Sequence, residues 1–251
     1  MSTAVLLTLY GTLDTEAEQK DILPLYEGLS AALGDVPVYL AYAGGKIAAQ
    51  REDMAVSSAM KRALAQGADK LLALMCFVVR GVVYDSAERE LRRWSGELSA
   101  LEITPPLMYD DGSVREFAQM LSGTGRSAEA ELLVVHGTGG TGAAYYGKLQ
   151  AALCALGRGN MLITELENRS GGIEDTAKKL EGCKAVKVSP LMICAGHHAK
   201  KGIFKGENSI CAALARRGIA SLPHERGLGA EPEFIRFLTR RALNGLEKCR
   251  L

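Results

Sequence analysis

The sequence predicts an α/β protein made of two similar halves, each with a parallel sheet, and a ligand cleft between them. Three observations lead there. Apolar runs of strand length alternate with amphipathic runs of helix length along the chain, the order that builds parallel sheets through crossover helices. The run Lys70 to Val79 is apolar almost throughout, as expected of a strand covered on both faces. The series stops at Ser122-Gly123-Thr124-Gly125-Arg126-Ser127-Ala128, which has the composition of a linker, and then starts again. The halves are accordingly placed at residues 1–125 and 126–251.

In the first half, Ala4 to Tyr10 is an apolar run ending in Gly11-Thr12. Thr15 to Leu33 follows with Leu25, Leu29 and Leu33 at helical spacing. Val36 to Tyr42 is a second strand, Met54 to Ala65 a second helix and Lys70 to Val79 a third strand. Tyr84 to Leu98 is an amphipathic helix with Trp94, Ile103 to Tyr109 a strand and Val114 to Leu121 a helix. Pro105-Pro106 within that last strand points to an edge, because proline cannot donate to a ladder. In the second half, strands are expected at Leu132 to Val135, Met161 to Leu166, Ala185 to Ile193 and Ile219 to Leu222. Helices are expected at Ala143 to Leu156, Ile173 to Leu180, Ser209 to Arg217 and Pro232 to Leu246. Leu6 to Thr12 aligns with Leu132 to Thr138, so Tyr10 stands where His136 stands, and Leu74-Met75 aligns with Leu191-Met192.

With 251 residues the chain has ample length to bury a core. Its 30 Lys and Arg nearly cancel 29 Asp and Glu, so no global field argues for nucleic acid, and an anionic ligand needs a local basic cluster. The start lacks a basic leader and reads as a first strand, and no stretch is long enough to span a membrane. Six cysteines without a C-x-x-C spacing suit reduced, mostly structural thiols, so a cytoplasmic location is the expectation.

The chain has only four histidines. His136 follows an apolar strand, and His197-His198 leave the sheet at the same edge after Ser189 to Ile193. Strand Met161 to Leu166 brings Glu165 and Glu167 to that edge. Ligands of open α/β sheets bind at the carboxyl ends of the strands, and two imidazoles with a carboxylate suit a divalent transition metal with positions left open. His224, beside Pro223 and Glu225, has no such company and reads as a loop residue. The run Gly137 to Gly142 also satisfies G-x-G-x-x-G between a strand and a helix, which makes a dinucleotide-dependent oxidoreductase an alternative.

His136-Gly137-Thr138 before a tyrosine-bearing helix (Tyr145, Tyr146, Leu149), Pro190-Leu191-Met192 with Ala195-Gly196 and His198-Ala199, and Gly227-Leu228-Gly229 with Glu231-Pro232 together resemble the anaerobic cobalt chelatase family of class II tetrapyrrole chelatases. The resemblance implies two flavodoxin-like halves around a tetrapyrrole, with ATP-independent insertion of a divalent metal into sirohydrochlorin in anaerobic cobalamin biosynthesis. Co2+ is the first expectation, with Ni2+ or Fe2+ as alternatives, and no organic cofactor is implied. It places the metal-binding histidines on His136 and His198 and the glutamate on Glu167, with Glu165 as second choice. His197 is a further candidate base. Tyr10, Gly11, Thr12, Arg80, Gly137, Thr138, Arg169 and Lys200 are the candidate substrate-binding residues, with Lys201 a further local cation. The chain departs from the family at Gly196-His197-His198, where an acid normally precedes the histidine, and at Cys76 and Val82-Val83, where the first half normally carries polar groups. A relative that binds metal or tetrapyrrole without turnover is therefore a second alternative, and homo-oligomerisation is left open.

Overall fold

The computed structural model describes residues 2–123, 129–137, 140–166 and 172–250. β1 (Ser2–Leu9), β2 (Val38–Tyr42), β3 (Ala68–Met75) and β4 (Ala100–Ile103) form one sheet in the order β2-β1-β3-β4. β5 (Ala130–Val135), β6 (Met161–Glu165), β7 (Ala185–Pro190) and β8 (Ala220–Pro223) form the second in the order β6-β5-β7-β8. Every pairing is parallel. Identical strand orders make the repeat structural, and the doubly wound α/β architecture is the one expected.

α1 (Thr15–Ala17) and α2 (Leu23–Leu33) are joined by a π turn at Glu18–Ile22, and α3 (Gly45–Gln50) and α4 (Val56–Ala65) follow β2. α5 (Val82–Arg92) and α6 (Asp111–Ser122) complete the first half. The second half carries α7 (Ala144–Ala155), α8 (Gly172–Lys179), α9 (His197–Ala199) with a π turn at Lys200–Lys205, α10 (Ile210–Ala215) and α11 (Pro232–Arg250). Two helices cross between the halves. α6 packs on α7, and Arg158 Nη1 of the second half donates to Ser122 O at its end. α11 returns to β3 and α2; a Cβ on its Gly245 would stand 2.6 Å from Leu72, and Cys249 Sγ bonds to Leu71 O. One core cluster consequently contains Leu7 and Leu9 of the first sheet, Leu133 and Val135 of the second, and Phe117, Phe234 and Phe237 from the crossing helices. Among the described residues no helix is long and apolar enough to cross a membrane.

Several elements differ from expectation. The strand expected at Ile103 to Tyr109 is Ala100–Ile103 and ends before the prolines. It is an edge strand all the same, and the Pro105 and Pro106 carbonyls accept from Arg241 Nη2 at 2.9 and 3.1 Å instead of joining a ladder. β3 and β7 end earlier than their apolar runs, because the residues after Met75 and Pro190 turn into the loops at the sheet edge. The helices α3 and α9 are additional; α9 is too short to show a helical period.

The repeat alignment also changes. Cys76 N donates to Thr8 O, and Leu191 N donates to Val134 O, each at 2.7 Å. Thr8 and Val134 are equivalent, so Cys76 matches Leu191, and the alignment of Leu74-Met75 with Leu191-Met192 slips by two residues. A slip of two keeps each side chain on its own face of the sheet, so hydrophobic pattern cannot detect it.

Candidate active site

The corrected repeat gives the site its logic. Gly11 and Gly137 both adopt left-handed backbone, with φ of 88° and 94°, at the same turn after the central strand. Tyr10 precedes one and His136 the other. Gly81 and Gly196 are both extended N-cap residues, and after them come Val82-Val83 in the first half and His197-His198 in the second. Where the second half presents imidazoles, the first presents Tyr10 and Val82, which are 55% and 83% exposed. Leu13 and Tyr109, also exposed, lie on loops at that same carboxyl edge. Large apolar side chains left in water in one region mark a contact surface.

His136, His197 and His198 are all exposed. The rings of His136 and His198 lie 6.2 Å apart between centres at an interplanar angle of 64°. Two imidazoles on one tetrahedral ion, each bound at about 2.0–2.1 Å, have centres roughly 5–6 Å apart, so a small movement suffices for both to bind one ion. Among the described residues no three His, Cys, Asp or Glu side chains gather into a metal-holding group. Glu167, Arg169 and Thr138 lie outside the described residues. Glu165 ends β6 in register with Val135; burial, reinforced by the Glu165 charge, pushes the Tyr146 phenol up to about 12.

The two edges touch on both sides. Lys200 Nζ bonds to Asp14 Oδ2 at 2.9 Å and Glu16 Oε2 at 3.0 Å, and a Cβ on Gly196 would stand 2.9 Å from Thr12 Oγ1. On the other side, Tyr145 donates to Tyr109 O, and Lys148 Nζ pairs with Asp111 Oδ1 at 2.7 Å. Lys200 therefore joins the halves. Arg80 is held by Asp85 at 2.7 Å and Glu88 at 2.8 Å, over the Tyr84 ring, and Lys201 is exposed. His224, read as an unaccompanied loop residue, bonds through Nε2 to Glu231 Oε1 at 2.9 Å. That bond, ahead of the opposing effect of burial, lowers the Glu231 pKa.

Asp14 caps α1 by accepting from Ala17 N at 3.0 Å. Burial alone would raise its pKa, but the Ala17 amide and the Lys200 ammonium outweigh it and hold the carboxyl below its usual value. A lowered carboxylate pKa adds stability above the unfolded-state value and loses it as pH falls through the folded-state value. Lys200→Met is therefore expected to flatten the acid limb of the Tm–pH curve between about pH 5 and 2, leaving a smaller Tm loss on acidification than in the wild type. Parallel curves for the two proteins would contradict this.

Two groups were not legible in the sequence. Asp21 is 1% exposed and accepts from Ala195 N at 2.7 Å, 174 residues away. Arg241, its rings of contact Tyr109 and Phe237, reaches the Pro105-Pro106 loop from α11; no local pattern links it to that loop.

A two-half parallel α/β fold with paired imidazoles at adjacent strand ends of one half suits the handling of a metal ion at the edge of a cleft. The profile described as Cobalt chelatase (CbiK) matches residues 3–244, and the chain belongs to that family. None of the curated proteins matches it significantly. Among solved structures, SirB from Bacillus subtilis with Fe3+ aligns with a TM-score of 0.68 at 13% identity, covering 98% of this chain and 96% of SirB. The sirohydrochlorin chelatase SirB from Bacillus subtilis subspecies spizizenii, in complex with cobalt, aligns at 0.63 with 11% identity over 99% of this chain and 95% of that one. A multi-domain Deinococcus radiodurans protein with structural similarity to chelatases aligns at 0.64 with 16% identity, over 96% of this chain and 54% of its own. Family membership makes the chain a metal chelatase enzyme rather than a dinucleotide-dependent oxidoreductase.

Proposed function

We propose that the chain inserts Co2+ into sirohydrochlorin without ATP, with the macrocycle lying between the imidazoles of the second half and the apolar edge of the first. The observation that carries this reading is the chemical asymmetry at equivalent positions: His136 and His197-His198 face the cleft edge from one half, Tyr10 and Val82-Val83 from the other. A flat macrocycle gains from burying one face on Tyr10, Leu13, Val82 and Tyr109, since each square ångström of apolar area removed from water contributes roughly 25 cal/mol. Gly11 and Thr12 form the turn beneath it in the first half and Gly137 the start of the equivalent turn in the second, with Thr138 the remaining candidate for contact with the ring. The carboxylates of the ring are met by local cations, for which Arg80, Arg169 and Lys200 are the candidates. Lys200 then serves both the ring and the junction between the halves.

His136 and His198, with Glu167 or else Glu165, bring the ion to the ring. As the metal–nitrogen bonds form, two pyrrole N–H protons leave, so M2+ and the free macrocycle give the metallated macrocycle and two protons. A neutral imidazole accepts one such proton as its bond to the metal is released, because its pKa lies near neutrality. His197, adjacent to His198 and exposed, is placed to take the second. Imidazole and carboxylate accept Co2+, Ni2+ and Fe2+ alike, so availability selects among them. A cytoplasmic location goes with this reading and is supported by the free state of the six cysteines.

The test is steady-state insertion of Co2+ into sirohydrochlorin without ATP. Many turnovers per chain are expected; stoichiometric binding with no turnover would sink the proposal. Val82→Ser is expected to raise KM for the macrocycle several-fold at nearly unchanged kcat, because it removes apolar contact from the ring face without adding a charge.

A further inference from the structure

The π turn at Glu18–Ile22 carries two side chains with separate tasks. Glu18 Oε1 accepts from the hydroxyl of Tyr42, the ring on which Gly11 rests. Asp21, three residues on, is buried against the other half: its Oδ2 accepts from Ala195 N at 2.7 Å, one residue before Gly196 and three before His198. The second half closes tightly around it. A Cβ on Gly229 would stand 2.3 Å from Asp21 O, and one on Gly227 2.5 Å from Ile193 O. Leu228 N and Gly229 N donate to Met192 O and Ile193 O, so the loop at residues 227–229 is bonded to the strand extension that leads to Ala195. Burying a carboxylate is expensive, and the Ala195 amide answers only part of it. A group retained in such a place for packing alone would be better apolar. π turns recur at functional sites, and this one stands between the Gly11 turn and the histidine turn.

We propose that Asp21 is a positioning residue: its carboxylate fixes the Ala195-Gly196 turn of the second half against the first half, and so sets where His198 stands over the cleft. The inference rests on the reading of His198 as a metal-handling residue. Lys200, on the far side of His198, pins the same turn from outside through Asp14 and Glu16. The turn is thus held at both ends by the first half, with the two histidines between the anchors.

A double-mutant cycle between Asp21 and His198 tests this, with Co2+ affinity measured by calorimetry and Co2+ insertion measured on the same four proteins. Asp21→Ala is expected to weaken Co2+ binding and insertion about 10-fold or more, as loss of an outer-shell partner of a ligand does. In the His198→Ala background the same change is expected to cost less than about 2-fold, because residues acting through one another are not additive. Asp21→Asn keeps the shape and one acceptor for Ala195 N, so it should fall between the wild type and alanine, and it carries the cycle if Asp21→Ala does not fold. Equal losses in both backgrounds, or no loss from Asp21→Ala, overturn the positioning role while leaving the reading of His198 intact. A His198→Ala protein that binds and inserts Co2+ as the wild type does overturns both, and is recognised at the single variant.

Discussion

His136→Ala and His198→Ala are each expected to lower Co2+ insertion by about 10²-fold or more, the range found for removing a group that transfers protons in the reaction. His198→Ala should change unfolding free energy by no more than about 0.5 kcal/mol, because the side chain is exposed and surface changes away from packed features fall within that range, and His136→Ala by an amount small beside its loss of insertion. The combination discriminates. Loss of insertion with an unchanged Tm places the two rings in the chemistry, whereas proportional loss of both would make them structural. Calorimetric titration of Co2+ supplies the intermediate step: if the imidazoles share one ion, either substitution should weaken the same tight site to a residual affinity that titration still reads. Binding indifferent to both substitutions would contradict a shared ion at a ring separation of 6.2 Å.

Gly11→Ala has the largest expected effect on stability. Two costs add at this position. The backbone φ of 88° lies in the left-handed region, which costs an L-residue roughly 1–2 kcal/mol. A Cβ there would also stand 2.5 to 2.9 Å from three side-chain atoms of Tyr42, a fully buried ring that cannot swing away, and overpacking of that kind costs about 1–3 kcal/mol. The sum is about 2–5 kcal/mol, which for a chain of this size lowers Tm by roughly 5–15 °C. Gly218→Ala is the control: its φ is 74° but no atom lies within 4 Å of the added Cβ, so only the backbone cost, about 1–2 kcal/mol, is expected. Thermal unfolding of the two variants separates the terms; equal Tm losses would mean that the Tyr42 ring yields without cost.

The sequence by itself determined the parallel α/β class, the repeat, and the arrival of His136, His197 and His198 at one sheet edge. These follow from local periodicity: strand-length apolar runs, turn glycines and the residues immediately after them. The resemblance to the cobalt chelatases was legible for the same reason, since its motifs are short and contiguous. Local pattern failed wherever the answer depended on a partner remote in the chain. The repeat alignment slipped by two at Leu74-Met75 because a two-residue shift preserves the burial of every side chain, and only the bonds from Cys76 to Thr8 and from Leu191 to Val134 set the register. The pairing of Lys200 with Asp14 and Glu16, and of His224 with Glu231, is likewise invisible to local pattern. The exchange of α6 and α11 between the halves, and the burial of Asp21 against Ala195, were decided by tertiary structure alone. α11 and Asp21 each take a partner more than a hundred residues away, Cys249 on Leu71 and Asp21 on Ala195, and α6 meets the second half 36 residues on, through Ser122 and Arg158; local pattern is silent on all three, because an apolar face or a buried carboxylate takes whichever partner the whole fold brings to it.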